Sequence, residues 1–263
     1  MKFSNNLQLA IKAAQAAGLV MVKGYGHIKK IQKKDGDLNF VTDVDKKSEK
    51  VIIDILSKET DFSILSEEIG EIKKNEEALW VIDPIDGTTN FARGLPIFAV
   101  SIALVKEKEV QLGVVFNPIT NECFFAEKGQ GAYLNDKRIT VSNRRDLSEL
   151  IIFVDYGYSK KDREIGAQVI SNLNKFCSTR IIGSMALGLC YVAKGSVEGL
   201  LDVGAELWDY AAGLLLVKEA GGKVTNWENQ EFNLDKKFLF ASNGVIHDTI
   251  IKNISSLFPL KRS

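Results

Sequence analysis

Residues 7 to 22 place Leu7, Ile11, Ala14 and Gly18 at helical spacing, which predicts an amphipathic first helix. Lys12 and Gln15 interrupt its apolar run before it reaches the length of a bilayer span. Lys29 to Asp37 follows neither the helical nor the strand period and predicts a polar, mobile loop. A second helix is expected over Asp45 to Lys58, apolar at Val51, Ile52, Ile55 and Leu56. Phe62 to Leu65 and Trp80 to Ile82 are short apolar runs, read as buried strands. Pro84 is expected to stop the second, because its ring fixes φ and removes a donor. Residues 97 to 105 and 110 to 116 are β-branched runs flanking Lys106-Glu107-Lys108-Glu109, the pattern of a hairpin with a solvated turn. Residues 122 to 134 add at least one further strand and 138 to 142 another, so the first half predicts an antiparallel sheet with helices packed on it.

The pattern changes around Asp146 to Glu149. Beyond it come an apolar strand at 150 to 154, a helix at 162 to 175 and a short strand from Arg180 to Ile182. Ser184 sits where a helix N-cap belongs, before a helix from Met185 to Lys194 that is apolar on most faces and so buried. A strand at Val197 to Val203, a helix from Asp209 to Ala220 stopped by Gly221-Gly222, and a strand at Lys223 to Thr225 complete an α/β alternation. Residues 1–147 thus read as an N-terminal α+β half and 148–263 as a C-terminal α/β half, expected to form one compact catalytic unit.

Charge narrows the function classes. The 34 acidic and 34 basic residues cancel, which gives no support to a nucleic-acid or anionic-membrane surface. Cys123, Cys177 and Cys190 lack paired spacing and have apolar neighbours, as expected of reduced core thiols in a cytoplasmic protein. His27 and His247 are the only histidines, too few for a histidine metal cluster and a thin basis for a triad.

The candidate chemistry sits in Trp80-Val-Ile-Asp-Pro-Ile-Asp-Gly-Thr-Thr-Asn-Phe91, which carries two carboxylates from a strand into a tight turn that opens a helix. Asp-Pro and Asp-Gly are common turn formers, and a turn accounts for one of the acids. It does not account for the second, nor for the two threonines. Gly87 permits close backbone approach, Thr88 or Thr89 is expected to cap the helix, and free amides there would face an anion. Asp83 and Asp86 beside a phosphate would repel it, and divalent metal is the simplest remedy.

This stretch resembles the first signature of the inositol monophosphatase family, the lithium-sensitive, magnesium-dependent phosphatases. Phe40-Val-Thr-Asp-Val-Asp45, Ser66-Glu67-Glu68, Gly183-Ser184-Met185-Ala186 and Trp208-Asp209-Tyr210-Ala211-Ala212-Gly213 agree with the family in the same order. The resemblance implies an αβαβα layered sandwich, mixed α+β and α/β, with the site between the halves. It implies that Glu67, Asp83 and the carbonyl of Ile85 hold one Mg2+ and that Asp83, Asp86 and Asp209 hold another. Mn2+ would be a substitute, and Lys34 and Asp35 would complete a third site. Thr88, oriented by Asp45 and assisted by Glu67, would activate water. The amides of Gly87 and Thr88 would receive phosphate, while Gly183, Ser184, Met185 and Asp202 would line the alcohol pocket. Asp202 stands where the family often has Glu, one methylene longer.

The resemblance further implies a homodimer acting on a small phosphorylated alcohol, inositol monophosphate first, with no membrane or nucleic-acid partner. Histidinol phosphate, fructose bisphosphate and nucleotide 3'-phosphates are alternatives, as is a non-catalytic partner of transcription machinery. An aspartyl-phosphate enzyme of the haloacid dehalogenase type is a rival from a different class, and Asp43-Val44-Asp45 has the spacing it needs. Four further side chains have plainer readings: Glu68 as a solvated neighbour of Glu67, Trp208 as packing behind Asp209, and Lys34 and Asp35 as solvated charges.

Overall fold

The first helix, α1 (Asn5–Gly24), starts at Ser4, whose hydroxyl accepts the Leu7 N–H at 3.2 Å. Its buried stripe of Leu7, Ala10, Ala13, Ala14, Ala17 and Met21 recurs every three to four residues. Small residues let the helix lie close against a sheet: a Cβ on Gly18 would fall 2.5 Å from the Phe116 ring. In this computed structural model the described residues are 3–26, 31–33, 40–234 and 238–254.

Strands β1 (Ile31–Lys33) and β2 (Phe40–Thr42) pair antiparallel, and β1 falls within the stretch expected to be loop alone. A three-residue strand is too short to show alternation, so the pattern does not reveal it. Helix α2 (Asp43–Glu59) begins two residues before the expected start, at a capping box in which Thr42 is the N-cap and Asp45 accepts its N–H.

The first sheet contains β3 (Phe62–Ser66), β4 (Gly70–Ile72), β5 (Asn75–Asp86), β6 (Ala99–Lys106), β7 (Glu109–Asn117), β8 (Glu122–Glu127), β9 (Gly131–Leu134) and β10 (Lys137–Ile139). Their order is β10-β9-β8-β7-β6-β5-β3-β4. All neighbours are antiparallel except β3 and β5, a departure from the fully antiparallel sheet expected. The chain leaves β3 through the edge hairpin to β4 and then crosses to the other side of β3, so β5 must run with it. The β6–β7 turn is the two-residue loop Glu107-Lys108, with φ of 52° and 62°, the left-handed pair that suits a hairpin's twist.

After a 3-10 turn at Leu147–Glu149 the second sheet begins. It comprises β11 (Ile151–Tyr156), β12 (Ser178–Arg180), β13 (Gly199–Val203), β14 (Lys223–Thr225) and β15 (Phe238–Ser242), in the order β12-β11-β13-β15-β14. The helices of this half are α4 (Lys160–Leu173), α5 (Met185–Ala193), α6 (Leu207–Glu219) and α7 (His247–Ile254), while α3 (Thr88–Ala92) precedes β6.

Three apolar clusters define the layering. One joins α1 and α2 to one face of the large sheet, the second joins its other face to α5, α6 and the small sheet, and the third joins the small sheet to α4 and α7. The layers therefore run αβαβα. Helix α6 is sandwiched between sheets, which explains why Tyr210 to Val217 are all buried. A Cβ on Gly113 would fall 2.7 Å from the Ala212 backbone, so that glycine allows α6 to settle on the large sheet. None of the helices in the described residues is long and apolar enough to cross a membrane.

Candidate active site

Pro84 does not end its strand. β5 continues to Asp86 through a bulge, with Asp83 opposite Ser101 and Asp86 opposite Ala99, so Pro84 and Ile85 together face one residue of β6. Proline is tolerated because the bulge breaks the ladder where its donor is missing. The bulge also sets the chemistry. Three residues apart on a regular strand, Asp83 and Asp86 would point to opposite faces. The extra residue brings both to the face shared by Ala99 and Ser101, toward α6.

Asp209 reaches the same place from the first turn of α6, where its Oδ2 accepts the Glu206 N–H at 2.7 Å. Carboxylate oxygens of Asp83, Asp86 and Asp209 lie within 4.8 Å of one another, and none of the three has a basic partner among the described residues. Burial, then Glu67, Asp86 and Asp209, push the Asp83 carboxyl far above the usual carboxylate range. Burial raises Asp86 to about 7, and burial followed by the charge of Asp86 raises Asp209 strongly. Glu67 follows β3 directly. Its N–H donates to the Ile82 carbonyl at 3.2 Å, so the parallel pairing of β3 and β5 sets it beside Asp83.

Gly87, not a threonine, is the N-cap of α3, with φ of +89°. A Cβ there would fall 2.9 Å from the Ile97 carbonyl and 3.0 Å from that of Gly183, so glycine is required for space as well as for conformation. Thr88 is freed from capping. Its hydroxyl lies 3.0 Å from Asp45 Oδ1 and 2.9 Å from the Ile85 carbonyl. Asp45 Oδ2 accepts the Thr42 N–H at 2.8 Å and the Thr42 hydroxyl, while burial holds the Asp45 carboxyl up at about 6.

Ser184 is the N-cap residue of α5, as its position predicts, but its hydroxyl makes no capping bond within its own helix. It donates to Asp86 Oδ2, and the Met185 and Ala186 N–H groups donate to Asp86 at 3.1 Å each. The cap of α5 is thus Asp86, reaching across from the other sheet. Gly183 and Met185 line the cleft, and Asn90 fixes their approach by donating to the Ile182 and Gly183 carbonyls at 2.7 and 3.2 Å. Asp202, at the end of β13, also lines the cleft, with Oδ2 taken by the Ala205 N–H at 2.8 Å and its carboxyl pushed strongly upward by burial.

These groups surround one cleft of about 900 Å³. Trp208 lines it, and its carbonyl accepts the Ser101 hydroxyl at 3.2 Å, which holds the start of α6 against the large sheet. The sequence reading missed Asp155, the penultimate residue of β11, which lies opposite Asp202 in parallel register and is raised to about 6 by burial. An acid closing an apolar strand is the signal that picked out Glu67 and Asp83, and it is present at Asp155 as well. Lys34 and Asp35 lie outside the described residues.

The structure speaks against the aspartyl-phosphate rival. Asp43 directly follows β2 and opens α2, where it pairs with Lys47 at 2.6 Å and does not line the cleft, and Asp45 is enclosed by Thr42 and Thr88. His247 does not enter the cleft lining. It is buried between Thr225 and Ser242, with its imidazole lowered to about 4 by burial. The three cysteines are buried and unpaired, their thiols raised by burial.

The profile of the inositol monophosphatase family matches residues 4–257. Among similar proteins, the Nus factor SuhB of Pasteurella multocida is 42% identical over 254 residues, covering 94% of this chain and 95% of that protein. A fructose-1,6-bisphosphatase/inositol-1-monophosphatase of Thermotoga maritima is 38% identical, covering 96% and 97%. The crystal structure of the extragenic suppressor protein suhB from Bartonella henselae has a TM-score of 0.91 at 36% identity, covering 95% of this chain and 98% of that one.

Proposed function

Because this chain belongs to the inositol monophosphatase family, we propose that it is a metal-dependent phosphomonoesterase whose first substrate is inositol monophosphate. The observation that carries the reading is the convergence of the Asp83, Asp86 and Asp209 carboxylates without a basic partner at a cleft. Such a cluster is unfavourable as bare charge, and its donors are hard oxygens with no imidazole or thiolate among them, the set that suits Mg2+ or Mn2+. Glu67, Asp83, Asp86, Asp209 and the Ile85 carbonyl would hold the cations. When bound, divalent metal supplies positive charge for the phosphate oxygens and makes water more acidic.

The chain's own groups do the rest. The Thr88 hydroxyl accepts the proton of the attacking water as it passes its own proton to the ionised Asp45 carboxylate, to which it is hydrogen-bonded, and Glu67 orients that water beside it. The amides of Gly87 and Thr88, at the opening of α3, receive the phosphate. Asp202 and the Gly183–Met185 segment face the alcohol; Ser184 acts there through Asp86, which it and the next two amides hold in place.

Fructose bisphosphate is the second substrate to test. The Thermotoga maritima relative bears that activity in its name, and Lys161 and Arg163 line the cleft as cations that suit a second phosphate. The relatives named Nus factors support a partner-binding role beside hydrolysis, without replacing it. Phosphate release by the purified chain with Mg2+, measured across inositol 1-phosphate, fructose 1,6-bisphosphate, histidinol phosphate and a nucleotide 3'-phosphate, tests the reading. Fastest turnover of inositol 1-phosphate is expected. Release from none of the four would contradict the proposal.

A further inference from the structure

Helix α2 presents two buried carboxylates one turn apart on the same face, Asp45 and Glu49. Asp45 holds the Thr88 hydroxyl. Glu49, only 3% exposed, serves a different turn. Its Oε1 accepts the Ser66 hydroxyl, the Glu68 N–H at 3.1 Å and the Ile69 N–H at 3.2 Å. Ser66 ends β3 opposite Gly70, which starts β4, so Glu67, Glu68 and Ile69 form the three-residue loop between those strands. Gly70 closes that loop at φ of +75°. On its other side the loop is tied to β5 by the Glu67 N–H on the Ile82 carbonyl.

We propose that Glu49 is a positioning residue for Glu67. One carboxylate oxygen gathers a hydroxyl and two amides from the residues on either side of Glu67, and three donors on a single acceptor fix the backbone that supplies them. The loop backbone is therefore fixed before any cation arrives, and the Glu67 side chain leaves it toward Asp83. Without Glu49 the Glu68 and Ile69 amides lose their carboxylate partner, and the loop is free to turn its donors elsewhere. Outer groups that orient ligands contribute strongly to metal affinity even though they never touch the metal. Helix α2 thus steadies two of the turns that carry acids of the cleft, through Asp45 on one and Glu49 on the other.

The inference rests on the metal-dependent reading above, and its test separates the two. Mg2+ binding to the full chain is measured by titration calorimetry, alongside kcat, KM and Tm, for the parent, Glu49→Ala, Glu49→Gln and Ile52→Val. Ile52 is a buried neighbour on the same helix, and its variant controls for lost stability alone. Glu49→Ala is expected to weaken Mg2+ binding about tenfold and to lower kcat at limiting Mg2+, with KM for the ester unchanged at saturating metal. Glu49→Gln keeps an acceptor oxygen and should recover most of that loss, while Ile52→Val should lower Tm without moving the affinity. Parent-like affinity in Glu49→Ala, or an equal loss in Ile52→Val, would overturn the inference and leave the phosphatase reading intact. If Glu49→Ala does not fold, Ser66→Ala decides instead: weakened Mg2+ binding supports the positioning role, and unchanged binding overturns it. A parent chain that binds no Mg2+ would overturn the phosphatase reading, and this inference with it.

Discussion

The Thr88 hydroxyl lies 3.0 Å from Asp45 Oδ1, joining the turn after β5 to the first turn of α2. A hydroxyl held this way can pass on a proton only while Asp45 is ionised, and burial raises the Asp45 carboxyl to about 6. With metal saturating, kcat/KM should therefore climb as pH rises through about 6. Asp45→Asn should flatten that limb, and Thr88→Ala should lower kcat by about 10²- to 10⁴-fold with little change in KM. A parent profile level from pH 5 to 7, or an unchanged limb in Asp45→Asn, would contradict the role given to this pair.

Asp83 and Asp86 share one cluster but differ in what else they hold. Asp83 accepts the Ile85 N–H at 2.9 Å and meets the Glu67 side chain, whereas Asp86 ties α5 to the large sheet through Ser184, Met185 and Ala186. Asp83→Asn removes a repelling charge and should raise the Tm of metal-free protein while abolishing most activity. Asp86→Ala removes the cap of α5 and should cost about 1–2 kcal/mol of stability. Between the isosteric variants, Asp83→Asn should lose more activity than Asp86→Asn, because Asp83 is the proposed bridge. Thermal scans and steady-state assays of the three variants check each statement.

The bulge that joins these two acids shows where the sequence was legible and where it was not. The motif from Asp83 to Phe91 and the acids Glu67 and Asp209 stood out by residue type, and the run of apolar segments marked most strands and helices. Pro84 read locally as a stop, and only pairing with β6 shows that it sits in a bulge. The same limit applies to Ser184, whose hydroxyl finds Asp86 98 residues away in sequence. Its partner depends on how two sheets pack, which no local period encodes. Asp155 was readable but unread, and β1 and β4 were too short to leave a pattern.

Stability should depend on pH in a direction set by the same acids. Asp86 at about 7, and Asp83, Asp202 and Asp209 raised strongly, hold protons more firmly folded than unfolded, where the ordinary value is 3.8. The folded state then binds more protons than the unfolded one, so unfolding free energy falls as pH rises through about 7. His247 acts with the opposite sign, but only between about 4 and its ordinary 6.5. From pH 6.5 to 8 the metal-free protein should lose Tm, and Mg2+ should raise Tm more at pH 8 than at 6.5. A metal-free Tm that climbs over this interval would contradict the buried-acid account.

The central claim is that the carboxylate cluster works by holding divalent metal for phosphate-ester hydrolysis. Its most direct test is phosphate release from inositol 1-phosphate by the purified chain, measured after exhaustive chelation with EDTA and again after Mg2+ is restored, with metal content determined in both states. The account predicts that turnover disappears with the metal and returns with it, and that Asp83→Asn restores neither binding nor turnover. Undiminished turnover by protein shown to be free of metal would contradict it.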